Sequence, residues 1–276
     1  MISEKIALLG QDVYEGKIPN QLTLKSIPTG SELDYVGAED FDDIMLNKIL
    51  PQCIEESIDP KQLLEIDYHW ILRCLRFINY GPYIHVGAIF CGACETTSRG
   101  EYLVNLETVE CKPLPAGFQN KLTISKEEFL DFKQDIVISL PTIQDIQNSL
   151  KDKQFKDAFG KTNRNFARIC YTIKSIGGQR MDPVSIRMKL QKDLSSADYV
   201  ILREKIAELT DYGLRSGGKA VCPKCKDQNA AFVALTDERF FRPSVDALRR
   251  WREDRDRRQV EDVPRDENSK VREHNR

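Results

Sequence analysis

Histidine is scarce in this 276-residue chain: only His69, His85 and His274 occur. None stands beside a serine or cysteine in a recognisable nucleophile motif, so triad chemistry has no support in the sequence. His69 falls in an apolar helical stripe and His85 on a strand, and both read as structural. Long apolar runs are missing too. No stretch approaches the ~20 apolar residues that a membrane-spanning helix needs. The opening MISEKIALLGQDVYEG holds only the short run IALL and no small-residue cleavage site, so no export leader is expected. Net charge is also small. The 41 Lys and Arg against 43 Asp and Glu give −2, which supplies no general attraction to nucleic acid or an anionic membrane. Gly160–Thr162 reads GKT like the end of a phosphate-binding loop. Phe155 occupies the position where that loop requires glycine, and no strand precedes it. Carboxylates are plentiful but scattered, and their spacing nominates no acid–base pair. With 30% charged residues and a mean hydropathy of −0.46, the chain reads as soluble.

What the sequence does have is cysteine in pairs. Cys91–Cys94 and Cys222–Cys225 are each Cys-x-x-Cys, and each follows a short apolar run, in IHVGAIFCGAC and GGKAVCPKC. Such a pair offers two thiolates from one tight turn, and two pairs complete a tetrahedral zinc site. This is the layout of a zinc ribbon, with Zn2+ as a structural ion. The 127 residues from 95 to 221 that separate the pairs far exceed the ~15–20 of a compact ribbon. Everything between them then reads as an insertion. Glu95 and Lys226 follow the knuckles where zinc ribbons commonly carry glycine. CGAC also has the spacing of a redox dithiol, but it runs into ETTSRG and a strand-like EYLVNLETV rather than opening a helix that would lower the thiol pKa. Cys111 and His85 remain alternative ligands. Cys53, Cys74 and Cys170 fall in apolar helical stripes and read as core.

The pattern predicts an α+β chain: a zinc-ribbon-like β core made from two distant knuckles, with a helical insertion and extended termini. Residues 1–55 read as an arm with a short strand and a helix from Glu39 to Leu50 ended by Pro51. Residues 56–118 read as a helix, opened by Asp59-Pro60 and striped with Leu63, Trp70, Ile71, Cys74, Leu75 and Ile78, followed by the first knuckle hairpin. Residues 119–211 read as a helical lobe. It includes a capping box from Thr142 to Asp145 and helices over Asn165–Ile176 and Ser195–Leu209. Residues 212–245 carry the second knuckle, and 246–276 form a charged tail with basic and acidic residues in near-equal number. Phe240, Phe241 and Trp251 are candidate apolar anchors for a partner.

The order of these segments resembles the baseplate protein family of T-even-like contractile-tailed phages, whose members include the baseplate hub subunit. The residues that carry the resemblance are DYHWILRCLRFINYGPYIHV running into CGAC, the Pro-Thr step in SLPTIQD, and CPKC followed by FFRPS. It covers approximately residues 55 to 245. It implies a non-enzymatic, zinc-stapled adaptor in the baseplate hub region that contacts hub, wedge or tape-measure proteins. The corresponding location is the virion tail, with assembly in the host cytoplasm. Two other roles stay open at this level. One is a transient tail-assembly factor or chaperone that is not retained in the virion. The other is a zinc-ribbon nucleic-acid binder, against which the near-neutral charge argues.

Overall fold

Helices and sheets are mixed along the chain, and every strand pairing among the described residues is antiparallel, so the architecture is α+β. The computed structural model describes residues 3–28, 30–31, 40–156, 163–214, 217–228, 230–233, 241 and 244–261. Strands β1 (Ser3–Ala7) and β2 (Gln21–Lys25) precede helices α1 (Phe41–Ile44) and α2 (Leu50–Cys53), which are joined by a π-helical turn at Met45–Ile49. Helix α3 (Glu65–Tyr80) leads to β3 (Tyr83–Cys91), β4 (Thr96–Asn105) and β5 (Cys111–Lys112). Next come β6 (Leu122–Ile124), β7 (Ile136–Ile138), α4 (Ile143–Lys151) and α5 (Arg164–Thr172). They are followed by β8 (Ile173–Ile176), β9 (Gln179–Arg180), α6 (Pro183–Asp193) and α7 (Ser196–Leu209). Strands β10 (Gly213–Leu214), β11 (Gly217–Ala220) and β12 (Ala230–Val233) precede α8 (Val245–Glu261). The chain divides into two units. One joins Met1–Asn79 to Val109–Ser216, and the other joins Tyr80–Thr108 to Gly217–Arg276.

In the first unit the N-terminal segment is not an arm. β1 and β2 pair over five residues, from Ser3↔Lys25 to Ala7↔Gln21, and Leu8, Leu22 and Leu24 are fully buried. The following turn is fixed by a residue far along the sequence. The buried Asp67 carboxylate on α3 accepts from the Leu9 N–H at 2.5 Å, from the Gly10 N–H at 3.1 Å and from the Tyr14 hydroxyl at 2.5 Å. Tyr14 in turn accepts from the Leu64 N–H at 2.9 Å. Burial raises the Asp67 pKa against these hydrogen bonds, which favour the charged form.

Pro51 does not end its helix, because α2 runs to Cys53. The π-helical turn just before it widens the backbone where proline can neither donate nor tolerate the usual carbonyl. Residues 119–211 share this unit with 1–79 rather than forming a purely helical lobe. Ile143 N–H bonds to the Leu63 carbonyl at 2.9 Å, and the segment contains a four-stranded sheet in the order β6-β7-β8-β9. The expected helix over 165–176 stops at Thr172. Ile173 and Ile176 continue its apolar pattern but pair with β7 as a strand and turn back at Gly177-Gly178. SKEEFLDFKQ, which the sequence also predicts as helical, forms a single 3-10 turn at Lys126–Glu128. The Thr142–Asp145 capping box is present at the start of α4, with both reciprocal hydrogen bonds made.

The second unit is built on a four-stranded sheet in the order β11-β12-β3-β4. Helix α8 packs on β3. The Trp251 indole lies over Gly81, whose φ of +72° and missing side chain leave the space that the ring fills. Asp254 accepts from the Tyr83 hydroxyl and pairs with Arg257 at 3.2 Å and Arg250 at 3.8 Å. The tail sequence to Glu261 is thus a helix docked on its own unit. Residues 262–276 and Gly160–Thr162 lie outside the described residues.

Candidate metal centre

The register of the second sheet brings the two cysteine pairs to one end. β3 ends at Cys91, and the hairpin to β4 holds Cys94. β11 ends at Ala220, and the loop to β12 holds Cys222 and Cys225. Because β12 runs antiparallel to β3, with Ala231 opposite Phe90, the start of β12 meets the end of β3. Residues more than 120 positions apart in sequence therefore meet, and the four Sγ atoms of Cys91, Cys94, Cys222 and Cys225 all lie within 4.8 Å of one another. Cys91 Sγ is 3.5 Å from Cys225 Sγ, and Cys94 Sγ is 3.8 Å from Cys222 Sγ. A tetrahedron with Zn–S bonds of about 2.3 Å has S–S edges of about 3.8 Å. The donor set, the number of donors and their spacing all fit a tetrahedral thiolate-bound ion.

Each knuckle is shaped by the same local device. Backbone N–H groups two and three residues beyond the first cysteine point back at its sulfur: Ala93 and Cys94 serve Cys91, and Lys224 and Cys225 serve Cys222. The chain then reverses through a left-handed residue, Glu95 at φ +50° and Lys226 at φ +64°. These are the two positions where zinc ribbons commonly carry glycine, so the knuckle geometry forms here on L-residues at some backbone cost. The second turn is closed by Lys226 N–H to the Cys222 carbonyl at 2.9 Å and Cys222 N–H to the Asp227 carbonyl at 2.7 Å. In the first, the Thr96 hydroxyl donates to the Cys94 carbonyl at 2.8 Å.

The protonation pattern reflects four thiols in one small volume. The backbone N–H of Cys225 is the largest influence on Cys222, which is pulled down to about 6. Cys94 is lowered, chiefly by the Thr96 hydroxyl. For Cys91 the Cys94 N–H opposes a rise that burial and the neighbouring thiols win, and the thiol stands at about 12. Cys225 is raised in the same way, against the Asp227 N–H. Four thiolates this close repel one another, and a divalent cation at their centre would let all four ionise.

The alternative ligands lie elsewhere. Cys111 is in β5, opposite Leu214 and within the other unit, and His85 faces Leu103 in the β3–β4 register. Cys53 and Cys170 are buried and Cys74 is half-buried, and burial raises the thiols of Cys53, Cys74 and Cys170 to about 11, 12 and 12. Burial lowers His69. Phe241 is 1% exposed and sits edge-on to Tyr80 at 6.5 Å between ring centroids. Its ring fills the chain's own core, which corrects its expected role as a surface anchor. Trp251 is half-buried against Gly81, and Phe240 lies outside the described residues. Sequence reading missed the supporting layer of Thr96, Asp227 and the knuckle N–H groups, of which the Cys-x-x-Cys turn itself signals the N–H groups alone. No protein-family model, curated protein or solved structure matches the chain. Among the described residues no helix is long and apolar enough to cross a membrane.

Proposed function

We propose that the chain is a structural protein in which one zinc ion staples two hairpins into a zinc-ribbon-like sheet. In this reading it acts as an adaptor in the baseplate of a contractile phage tail. The observation that carries the staple is the meeting of four sulfurs within 4.8 Å from two segments far apart in sequence. A four-thiolate site is closed. It leaves no position for water or substrate, unlike three-ligand catalytic zinc, and so favours scaffolding over chemistry. The baseplate setting rests on the resemblance of residues 55 to 245, and partners there would be hub, wedge or tape-measure proteins.

Helix α8 weighs against the nucleic-acid alternative, because its arginines are interleaved with acids that pair with them, as Asp246 does with Arg249 and Asp254 with Arg250 and Arg257. Purified tails would be tested for the chain by mass spectrometry and for its density in the baseplate by electron cryomicroscopy. Presence at fixed stoichiometry supports the adaptor. Presence in assembly intermediates alone would make it a transient factor, and absence from both would overturn the setting.

A further inference from the structure

We propose that the cysteine cluster is also an oxidation site, at which a peroxide converts Cys225 and Cys91 into a disulfide that replaces the metal while keeping the two knuckles joined. The geometry points across the knuckles rather than within them. Cys91–Cys225 at 3.5 Å and Cys94–Cys222 at 3.8 Å each link one knuckle to the other, within a cluster whose four sulfurs all lie within 4.8 Å. A disulfide needs about 2.05 Å, so the shorter pair closes by ~1.5 Å of side-chain rotation. Access differs around the cluster. Cys225 is exposed and Cys94 half-buried, whereas Cys91 and Cys222 are buried. The site therefore offers one sulfur to a dissolved oxidant and holds a second behind it in bonding position, the arrangement of an attacked and a resolving thiol.

The steps balance. With all four sulfurs held as thiolates by a cation, the Cys225 sulfur attacks one oxygen of hydrogen peroxide, the O–O bond breaks, and hydroxide leaves, giving a sulfenic acid. The Cys91 thiolate then attacks that sulfur, and the S–S bond forms as a second hydroxide leaves. Two thiolates are oxidised by two electrons and one peroxide is reduced. Cys94 and Cys222 alone would then remain to hold a metal, two ligands short of a closed four-thiolate site. The new bond joins residues 134 positions apart, so it closes the same long loop that the ion closed.

The proposal rests on the metal-centre reading for the zinc it displaces, and the test separates the two. Full-length protein purified under reducing conditions would be assayed for zinc, exposed to hydrogen peroxide with a chromogenic chelator present, and mapped by non-reducing peptide mass spectrometry. The expected result is loss of one zinc per chain together with a Cys91–Cys225 cross-link, while Cys53, Cys74 and Cys170 stay reduced. A thiol reductant should restore zinc binding. Protein without zinc before oxidation would fail the metal reading, and a Cys91–Cys225 cross-link in that same material would still support the oxidation site. Zinc retained under excess peroxide, cross-links confined to Cys91–Cys94 or Cys222–Cys225, or irreversible sulfinic acid would each overturn the proposal.

Discussion

Replacing Gly81 with alanine should undock helix α8 from the second unit. The added Cβ would stand 2.3, 2.5 and 2.6 Å from three ring carbons of Trp251, far inside contact distance, so the indole must move. Overpacking of this kind typically costs about 1–3 kcal/mol. The backbone adds to it, since φ is +72° and an L-residue there costs about 1–2 kcal/mol. Relief of glycine's unfolded-state entropy returns about 0.5–1 kcal/mol. The net expectation is a loss of about 2–4 kcal/mol in the stability of that unit. Urea denaturation of the zinc-saturated protein, followed by circular dichroism, measures it as a lower midpoint. A double-mutant cycle isolates the cause: with Trp251→Ala in the background, the cost of Gly81→Ala should shrink to the backbone part, about 1 kcal/mol. An unchanged midpoint, or the same cost with and without the indole, would refute the packing of α8 through Trp251 on Gly81.

Asp67→Ala should destabilise the first unit by about 3–5 kcal/mol, because the Leu9 and Gly10 N–H groups and the Tyr14 hydroxyl lose their buried acceptor. Thermal unfolding checks this, and a shift below 1 kcal/mol would count against the cluster. Glu95→Gly and Lys226→Gly should each stabilise the metal-bound protein by about 0.5–1 kcal/mol, since glycine removes the left-handed penalty and returns part of it as entropy. Destabilisation by either would show that the side chain itself supports its knuckle. In alkali, the thiols of Cys53, Cys74 and Cys170, raised to about 11, 12 and 12 from an ordinary 9, contribute stability that is complete below pH 9 and lost as pH rises toward those values. Unfolding and alkylation of these three thiols should therefore rise together above pH 9, and alkylation of Cys53, Cys74 and Cys170, mapped by peptide mass spectrometry in fully folded protein at that pH, would contradict their burial.

The cysteine cluster was legible because Cys-x-x-Cys encodes its own local geometry. The end of β3 at Cys91 and the turn after Cys222 follow from four residues each. The capping box at Thr142 was legible for the same reason. What sequence could not show was set by distant partners. Ile173 and Ile176 keep the helical spacing of α5, and only pairing with β7 makes them a strand. The N-terminal hairpin looked like a loose arm because the group that organises its turn, Asp67, lies 57 positions away from Gly10. Phe241 resembled an exposed anchor beside charge, whereas the Tyr80 ring it packs against lies far back in the chain. The docking of α8 was hidden in a run of charge because its contacts, Trp251 on Gly81 and Asp254 with Tyr83, reach a segment up to 171 positions back.

The most direct test of the zinc staple is X-ray absorption at the zinc edge on the purified full-length protein, combined with elemental analysis. The expected result is one zinc per chain with four sulfur neighbours at about 2.3 Å, lost on Cys222→Ser and unchanged on Cys111→Ser or His85→Ala. Protein without bound zinc, or a shell containing nitrogen or oxygen in place of a sulfur, would contradict it.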